Sequence, residues 1–492
     1  METIKEKEKE KEQKLVLTPS QQRAFDQFKE FLEDDTKVFI LKGYAGTGKT
    51  TLVKTFVEEL RKRKETYKLL ASTGRAAKIM RDRTGEDART IHSTIYKFTD
   101  LNLDLDEVFK DVNEPPKMDN TGQLLLNFTF SAVENSDYKR CFYIVDEASM
   151  IGDMNNPSPS QAIYGSGKLL TDLLHFDLKG KYIFVGDYFQ LPPVQEKESP
   201  ALSSNYIANE LGYKCKQAEI SEIMRQPGQS DIAISSLKIR EMGAQCRLKQ
   251  AIRDPLLPLE GYGDIIMTQD TEDLVKRYID DIRENGYDES TLVTRFNKEC
   301  YDFSIYIRKA LHKNNIIDIG DLLLVTQNNY ISGLANGDMV TITQILSGHQ
   351  QAGLTFQMVE VEELVTKQKY TQFLILNTLC GAGPNITPDQ HKELLFDFFF
   401  RMKQQGIKQK SELFKEKMLS DPYLNALRAN YGYAVTCNKA QGGEWERAYI
   451  NIPKRYSLYT YKEDLQWLYT AVTRAKNKLF IVDEFKFAQR IN

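Results

Sequence analysis

The chain has 492 residues, with 66 Lys+Arg against 69 Asp+Glu and a formal net charge of −3. That length exceeds what one hydrophobic core serves, so about three or four domains are expected. The near-neutral balance excludes a wholesale basic protein, and any nucleic-acid contact must come from a local groove.

No apolar run approaches the ~18 residues of a membrane span, no signal peptide precedes the first motif, and no membrane partner is expected. The six cysteines, at 141, 215, 246, 300, 380 and 437, stand singly with no C-x-x-C pair. They read as thiols of a reducing cytoplasm, and a cytoplasmic location is the expectation.

Residues 1–14 open the chain with five Glu and five Lys in near alternation. With no apolar face, they read as a solvated charged tail. An apolar run, Val38-Phe39-Ile40-Leu41, then enters Gly43-Tyr44-Ala45-Gly46-Thr47-Gly48-Lys49-Thr50 and opens onto Thr51 and a segment with apolar residues at 52, 56, 57 and 60. That is strand, glycine loop and helix, with the G-x-x-x-x-G-K-T spacing of the P-loop. Its backbone amides close around phosphate, Lys49 reaches the β- and γ-phosphates, and the Thr50 hydroxyl ligates Mg²⁺. ATP and Mg²⁺ are the expected cofactors.

Around residues 96–138 lies a stretch that a minimal nucleotide domain does not need. Leu124, Leu126, Phe128 and Phe130 fall on one face there and Asn127, Thr129 and Ser131 on the other, the two-residue period of a half-buried strand. The apolar strand Cys141-Phe142-Tyr143-Ile144-Val145 follows and delivers Asp146 and Glu147. Asp146 suits the Mg²⁺ shell, and Glu147 suits the base that orients and deprotonates the attacking water. A third strand, Lys181 to Val185, places Gly186, Asp187 and Gln190 where they can sense a γ-phosphate.

A second domain opens near Ser230 with a helical region and the strand 290–295. Short apolar strands at 322–326, 339–345, 354–361 and 372–376, broken by Asn336-Gly337 and Gly348, predict a small antiparallel barrel. Thr387-Pro388 then suits a helix start. The helix carries Leu394, Leu395, Phe396, Phe398, Phe399 and Phe400, which read as core more readily than as a nucleic-acid platform.

Taken in order, these segments resemble the superfamily 1 helicases of subfamily B, the RecD-like and Dda-like group. Leu17-Thr18-Pro19-Ser20-Gln21 is similar to the adenine-reading Q motif, and Ala71 through Ala77, with Thr73, Gly74 and Arg75, to motif Ia on the single-strand path. Thr90-Ile91-His92-Ser93 resembles the next DNA-contacting motif, Asp146-Glu147 motif II, and Gly186 through Pro192 motif III. Met224-Arg225-Gln226 looks like motif IV. Thr436 through Glu444, containing Asn438 and Lys439, looks like motif V, and Tyr469 through Ala475, containing Arg474, like motif VI.

The resemblance implies an α/β fold of two RecA-like P-loop domains, with an inserted 1B hairpin, an SH3-like 2B barrel and a helical insertion. It divides the chain into a tail (1–14), domain 1A (15–229) with 1B at about 96–138, domain 2A (230–319 and 430–492) and 2B with its helical insertion (320–429). It implies an ATP-dependent 5′→3′ helicase or translocase on single-stranded DNA, a monomer that works at duplex junctions beside single-strand-binding, replication or recombination proteins. Arg474, arriving from the second lobe, and Arg225 are then the catalytic candidates beside Lys49, Glu147 and Gln190. The nucleotide is held by Gln21, Gly43, Ala45 to Thr51 and Glu444. DNA is gripped by Thr73, Gly74, Arg75, His92, Thr436, Asn438 and Lys439, with Phe128 and Phe130 on the strand-splitting pin.

Two departures bear on DNA contact: Asn438 stands where the group commonly has His, and Ser72 where it commonly has Pro. Motif III lacks the Q-S-I-Y-x-F-R continuation of UvrD-like enzymes, which argues against the 3′→5′ branch. An RNA helicase of the same superfamily and a nucleic-acid-stimulated ATPase switch are the rival readings.

Overall fold

The structure is a computed structural model, and it describes residues 17–101, 128–135, 139–155, 162–222, 230–246, 250–329, 331–381, 383 and 385–489. The charged tail, most of the proposed pin and Arg225 lie outside the described residues.

Six parallel strands form the first sheet, in the order Ala88–Thr90, Thr66–Ala71, Cys141–Asp146, Lys181–Gly186, Val38–Gly43, Cys215–Ile220. The near-continuous apolar runs at 38–41 and 141–145 follow from burial on both faces of a parallel sheet. Helix Lys49–Lys62 buries Leu52, Val53, Phe56, Val57 and Leu60 against it. Helix Pro19–Glu33, started by a Thr18/Gln21 capping box and Pro19, lays Phe28 on Phe56 with ring centroids 3.9 Å apart. Because the strands run in one direction, their carboxyl ends bring the P-loop, Asp146-Glu147 and Asp187 to one edge. That is where open α/β sheets bind ligands.

A second parallel sheet, in the order Ile265–Thr268, Ala475–Val482, Trp445–Ile450, Ser290–Thr294, Ala434–Thr436, forms the other lobe. Helix Lys462–Val472 is buried along nearly its whole length between this sheet and the first lobe.

The barrel segment is a five-stranded antiparallel sheet, Lys369–Ile375, Leu354–Glu363, Met339–Gln351, Leu322–Val325, Ala429–Tyr431. Its edges meet at Leu427, whose amide donates to Phe373 O and whose carbonyl accepts from Ile375 N. The last strand comes from after the helical insertion, because closing the curl requires the chain to return. Helix Pro388–Gln404 buries Leu394, Leu395, Phe398 and Phe399 in a core shared with Phe356 and Ile375 of the barrel, and only Phe400 of that series is exposed.

The small sheet at the hairpin differs from the sequence reading. Tyr96–Leu101 pairs with Phe128–Ala132 as expected, but a third strand, Ala162–Tyr164, arrives from beyond Asp146-Glu147 and pairs in parallel. The insertion is therefore not confined to 96–138. Phe130 is 5% exposed and stacks on Tyr164 at 4.7 Å, with Phe98 edge-on at 5.5 Å. Its alternation reflects packing, which turns most of the ring toward the interior of the small sheet.

Candidate nucleotide cleft and nucleic-acid groove

A cavity of about 530 Å³ opens between the lobes, lined by Ala45, Gly46, Gly48, Lys49, Thr50, Thr51, Asp146, Glu147, Gln190, Glu444 and Arg474. Gly46 and Gly48 both sit at φ +78°, a conformation that costs glycine little and turns the loop around its amides. The Lys49 ammonium rests on the carbonyls of Gly43 and Tyr44, each at 2.9 Å.

Three expected nucleotide contacts lie behind the loop. A Cβ at Gly43 would come within 2.5 Å of Ile220. Thr47 is buried, with its hydroxyl on Tyr44 O at 2.8 Å. Gln21 is fully buried, its Nε2 donating to Thr47 O at 3.0 Å and its Oε1 accepting from Thr18 N at 3.1 Å. Each amide atom is engaged by the loop or its flank, so Gln21 braces the P-loop from behind.

Opposite the loop, Asp146 Oδ1 accepts from Glu147 N at 2.9 Å, and Glu147 holds φ 51°, ψ 40°. A left-handed glutamate costs free energy, and such strain concentrates at functional sites. Burial raises the pKa values of Asp146, Glu147 and Asp187, and the proximity of Asp146 and Glu147 raises Glu147 further. Gln190 is 5% exposed, yet its Oε1 has no hydrogen-bond partner among the described residues. A buried acceptor without a partner is costly unless a ligand or water serves it.

These features fit ATP and Mg²⁺: an amide-lined loop, a lysine, a hydroxyl and carboxylate (Thr50, Asp146) for the metal, and an unserved acceptor. Bound, the pair would supply the transferable phosphoryl group and the charge that neutralises it.

Arg474 is buried, donating to Thr470 O and Gly443 O at 2.8 Å each and to Thr473 Oγ1 at 3.1 Å. It faces the cleft while tying motif VI to motif V. Arg83 was missed by sequence reasoning. Its guanidinium donates to Thr50 Oγ1 at 3.1 Å and lies 3.6 Å from Glu444, but no short pattern marks it.

A second cavity of about 400 Å³ is lined by Thr73, Gly74, Arg75, Thr90, His92, Asn438 and Lys439, together with Tyr164, Pro192, Asn328 and Asn336. Thr73 caps helix Gly74–Thr84 through Ala76 N. Burial lowers His92 to about 4 and Lys439 to about 8. Thr436 lies beside Lys439 in an adjoining cavity with Asn297 and Tyr301. Arg75 borders both the groove and the nucleotide cleft, stacked on Trp445 of the second lobe at 4.0 Å. Its burial and the nearby Arg474 lower its pKa to about 10. Gly74 abuts the barrel, since a Cβ there would meet Ala335 at 2.2 Å.

Residues 16–253 match the AAA domain family and residues 431–482 the UvrD-like helicase C-terminal domain family. RecD, a subunit of the RecBCD enzyme of Buchnera aphidicola, is 22% identical over 90% of this chain and 70% of its own. The ATP-dependent DNA helicase Dda of enterobacteria phage T4 is 27% identical over 42% of this chain and 39% of its own. The chain is related to RecD and Dda, in keeping with the superfamily 1B resemblance of its motifs. An uncharacterised protein of Methanocaldococcus jannaschii, MJ1519, is 24% identical over 91% of this chain, which spans 37% of that relative's length.

Tyr164, Asn328 and Asn336 were not legible as groove residues, because they come from the third strand of the small sheet and from a barrel loop. Tyr469, in the segment that resembles motif VI, was legible only as a hydroxyl in a helix otherwise rich in apolar residues.

Proposed function

We propose that this chain is an ATP-dependent DNA helicase that moves 5′→3′ along single-stranded DNA. The observation that carries the reading is the adjacency of cleft and groove across the same two lobes, with Arg75 bordering both. Lys49 offers charge to the phosphates, Glu147 the base, Gln190 an acceptor for the attacking water, and Arg474 a cation whose position depends on lobe closure. Opening and closing then alter the groove held by Thr73, His92, Asn438 and Lys439, so a hydrolysis cycle becomes a step along the strand.

We take domains 1A, 2A and 2B with the limits read from the sequence as the moving units, and Arg225 as a second arginine from motif IV. Dda is named a DNA helicase and RecD a RecBCD subunit, which favours DNA over RNA. Polarity follows from the subfamily. A duplex with a 5′ single-stranded tail should be unwound with ATP and one with a 3′ tail should not; the opposite result would overturn the polarity. Equal ATPase stimulation by poly-dT and poly-U would overturn the choice of DNA.

A further inference from the structure

The Tyr469 hydroxyl is buried at the seam between the lobes. It accepts from the P-loop amide of Ala45 at 3.1 Å and donates to Asp187 Oδ2 at 2.6 Å. Its ring meets Phe189 edge-on at 5.2 Å, and the neighbouring Thr470 Oγ1 accepts from Leu191 N at 2.9 Å. One residue of the second lobe therefore touches the P-loop and the strand end after Gly186 together.

Ala45 stands at the end of the loop where the Lys49 ammonium rests on the Gly43 and Tyr44 carbonyls. The loop's amides cradle the α- and β-phosphates while its lysine reaches the β- and γ-phosphates, and Ala45, next to the carbonyls on which that lysine rests, is the loop amide turned toward the second lobe and the γ side. An amide has one hydrogen, so the phosphate oxygen and the Tyr469 hydroxyl compete for it.

Resting on the nucleotide-binding reading above, we propose that Tyr469 is the positioning residue by which the second lobe distinguishes triphosphate from diphosphate. In the empty cleft it holds the Ala45 amide. A γ-phosphate takes that amide, leaving Tyr469 bonded to Asp187 alone and releasing the P-loop from the second lobe. A diphosphate, lacking the third phosphate, leaves the bond to Ala45 in place. Asp187 supplies the anchor that keeps the hydroxyl poised, and its buried carboxylate depends on that hydroxyl and on Phe189 N at 3.0 Å.

The test is equilibrium binding of a non-hydrolysable ATP analogue and of ADP, both with Mg²⁺, to the full chain and its variants. Tyr469→Phe keeps the ring and removes the competing acceptor. The affinity ratio of analogue to ADP should rise about fivefold, the value of one hydrogen bond. Thr470→Val removes the adjacent contact to Leu191 without touching Ala45, and its ratio should equal that of the unsubstituted chain. Asp187→Asn, which weakens the anchor, should raise the ratio by a smaller factor and carries the test if Tyr469→Phe does not fold. An unchanged ratio in the folded variant, or an equal rise in Thr470→Val, overturns the proposal. Failure of the helicase reading would show separately, as hydrolysis in the unsubstituted chain that single-stranded DNA does not stimulate.

Discussion

The nucleotide cleft and the nucleic-acid groove lie side by side but are made differently. The cleft concentrates charge at the carboxyl edge of one parallel sheet, with Lys49, Asp146, Glu147 and Arg474 around a glycine loop. The groove is lined largely by hydroxyls, amides and rings, with Lys439 as a half-buried cation whose ammonium rests on Asn336 of the barrel loop. Phosphoryl transfer needs fixed charge, whereas a strand that must slide needs contacts that can be exchanged. Ser72 and Asn438 both line the groove, where exchangeable contacts of that kind suffice.

The sharpest separation should come from Lys49→Ala. Loss of phosphate neutralisation should cut ATP turnover by at least ~10²-fold, while single-strand affinity measured by anisotropy without nucleotide stays near that of the unsubstituted chain. Loss of both together would mean that cleft and groove are not separable.

Phe130→Ala tests whether the small sheet belongs to the groove or to the core. Removing a buried ring should cost about 3–5 kcal/mol of stability, read as a lower melting temperature. Unchanged melting with collapsed unwinding would return Phe130 to the junction.

Glu147 sharpens the cleft through pH. Burial and Asp146 raise its pKa, so more of it is protonated near neutrality than of an ordinary glutamate. A base works deprotonated, so kcat/KM for ATP should rise with pH across the neutral range. Glu147→Gln should abolish the rise along with turnover.

Lys439 should give the smallest effect, confined to the groove. Burial lowers its pKa to about 8, so its charge is present below that value and lost above it. Single-strand affinity should fall between about pH 7 and 9, through that titration. Lys439→Ala should lose this fall and flatten the salt dependence by ~0.7 in log–log slope, without changing ATP affinity in the absence of DNA.

The cleft was legible in the sequence because each of its parts is contiguous. A P-loop must present consecutive amides, and a strand end must deliver two acids, so Gly43 to Thr51 and Asp146-Glu147 carry their chemistry in local spacing. The strands at 38–41, 141–145 and 181–185, the barrel strands and the capped helix at Pro388 followed from local apolar runs for the same reason, while the two RecA-like lobes came with the family resemblance. What the spacing could not convey was which side of the loop each residue serves. Gln21, Gly43 and Thr47 support the P-loop from behind because Thr18, Ile220 and Tyr44 happen to pack there.

Tertiary structure alone decided the contacts between distant segments. Arg83 reaches Thr50, Arg75 stacks on Trp445, Ala162–Tyr164 completes the small sheet, and Tyr469 joins Ala45 to Asp187. Local patterns record what a segment can bury or present, but the partner is set by how two sheets and a barrel close on one another. The alternation around Phe130 shows the limit most plainly: a period of two fixes a face, and only the arrival of Tyr164 made that face interior.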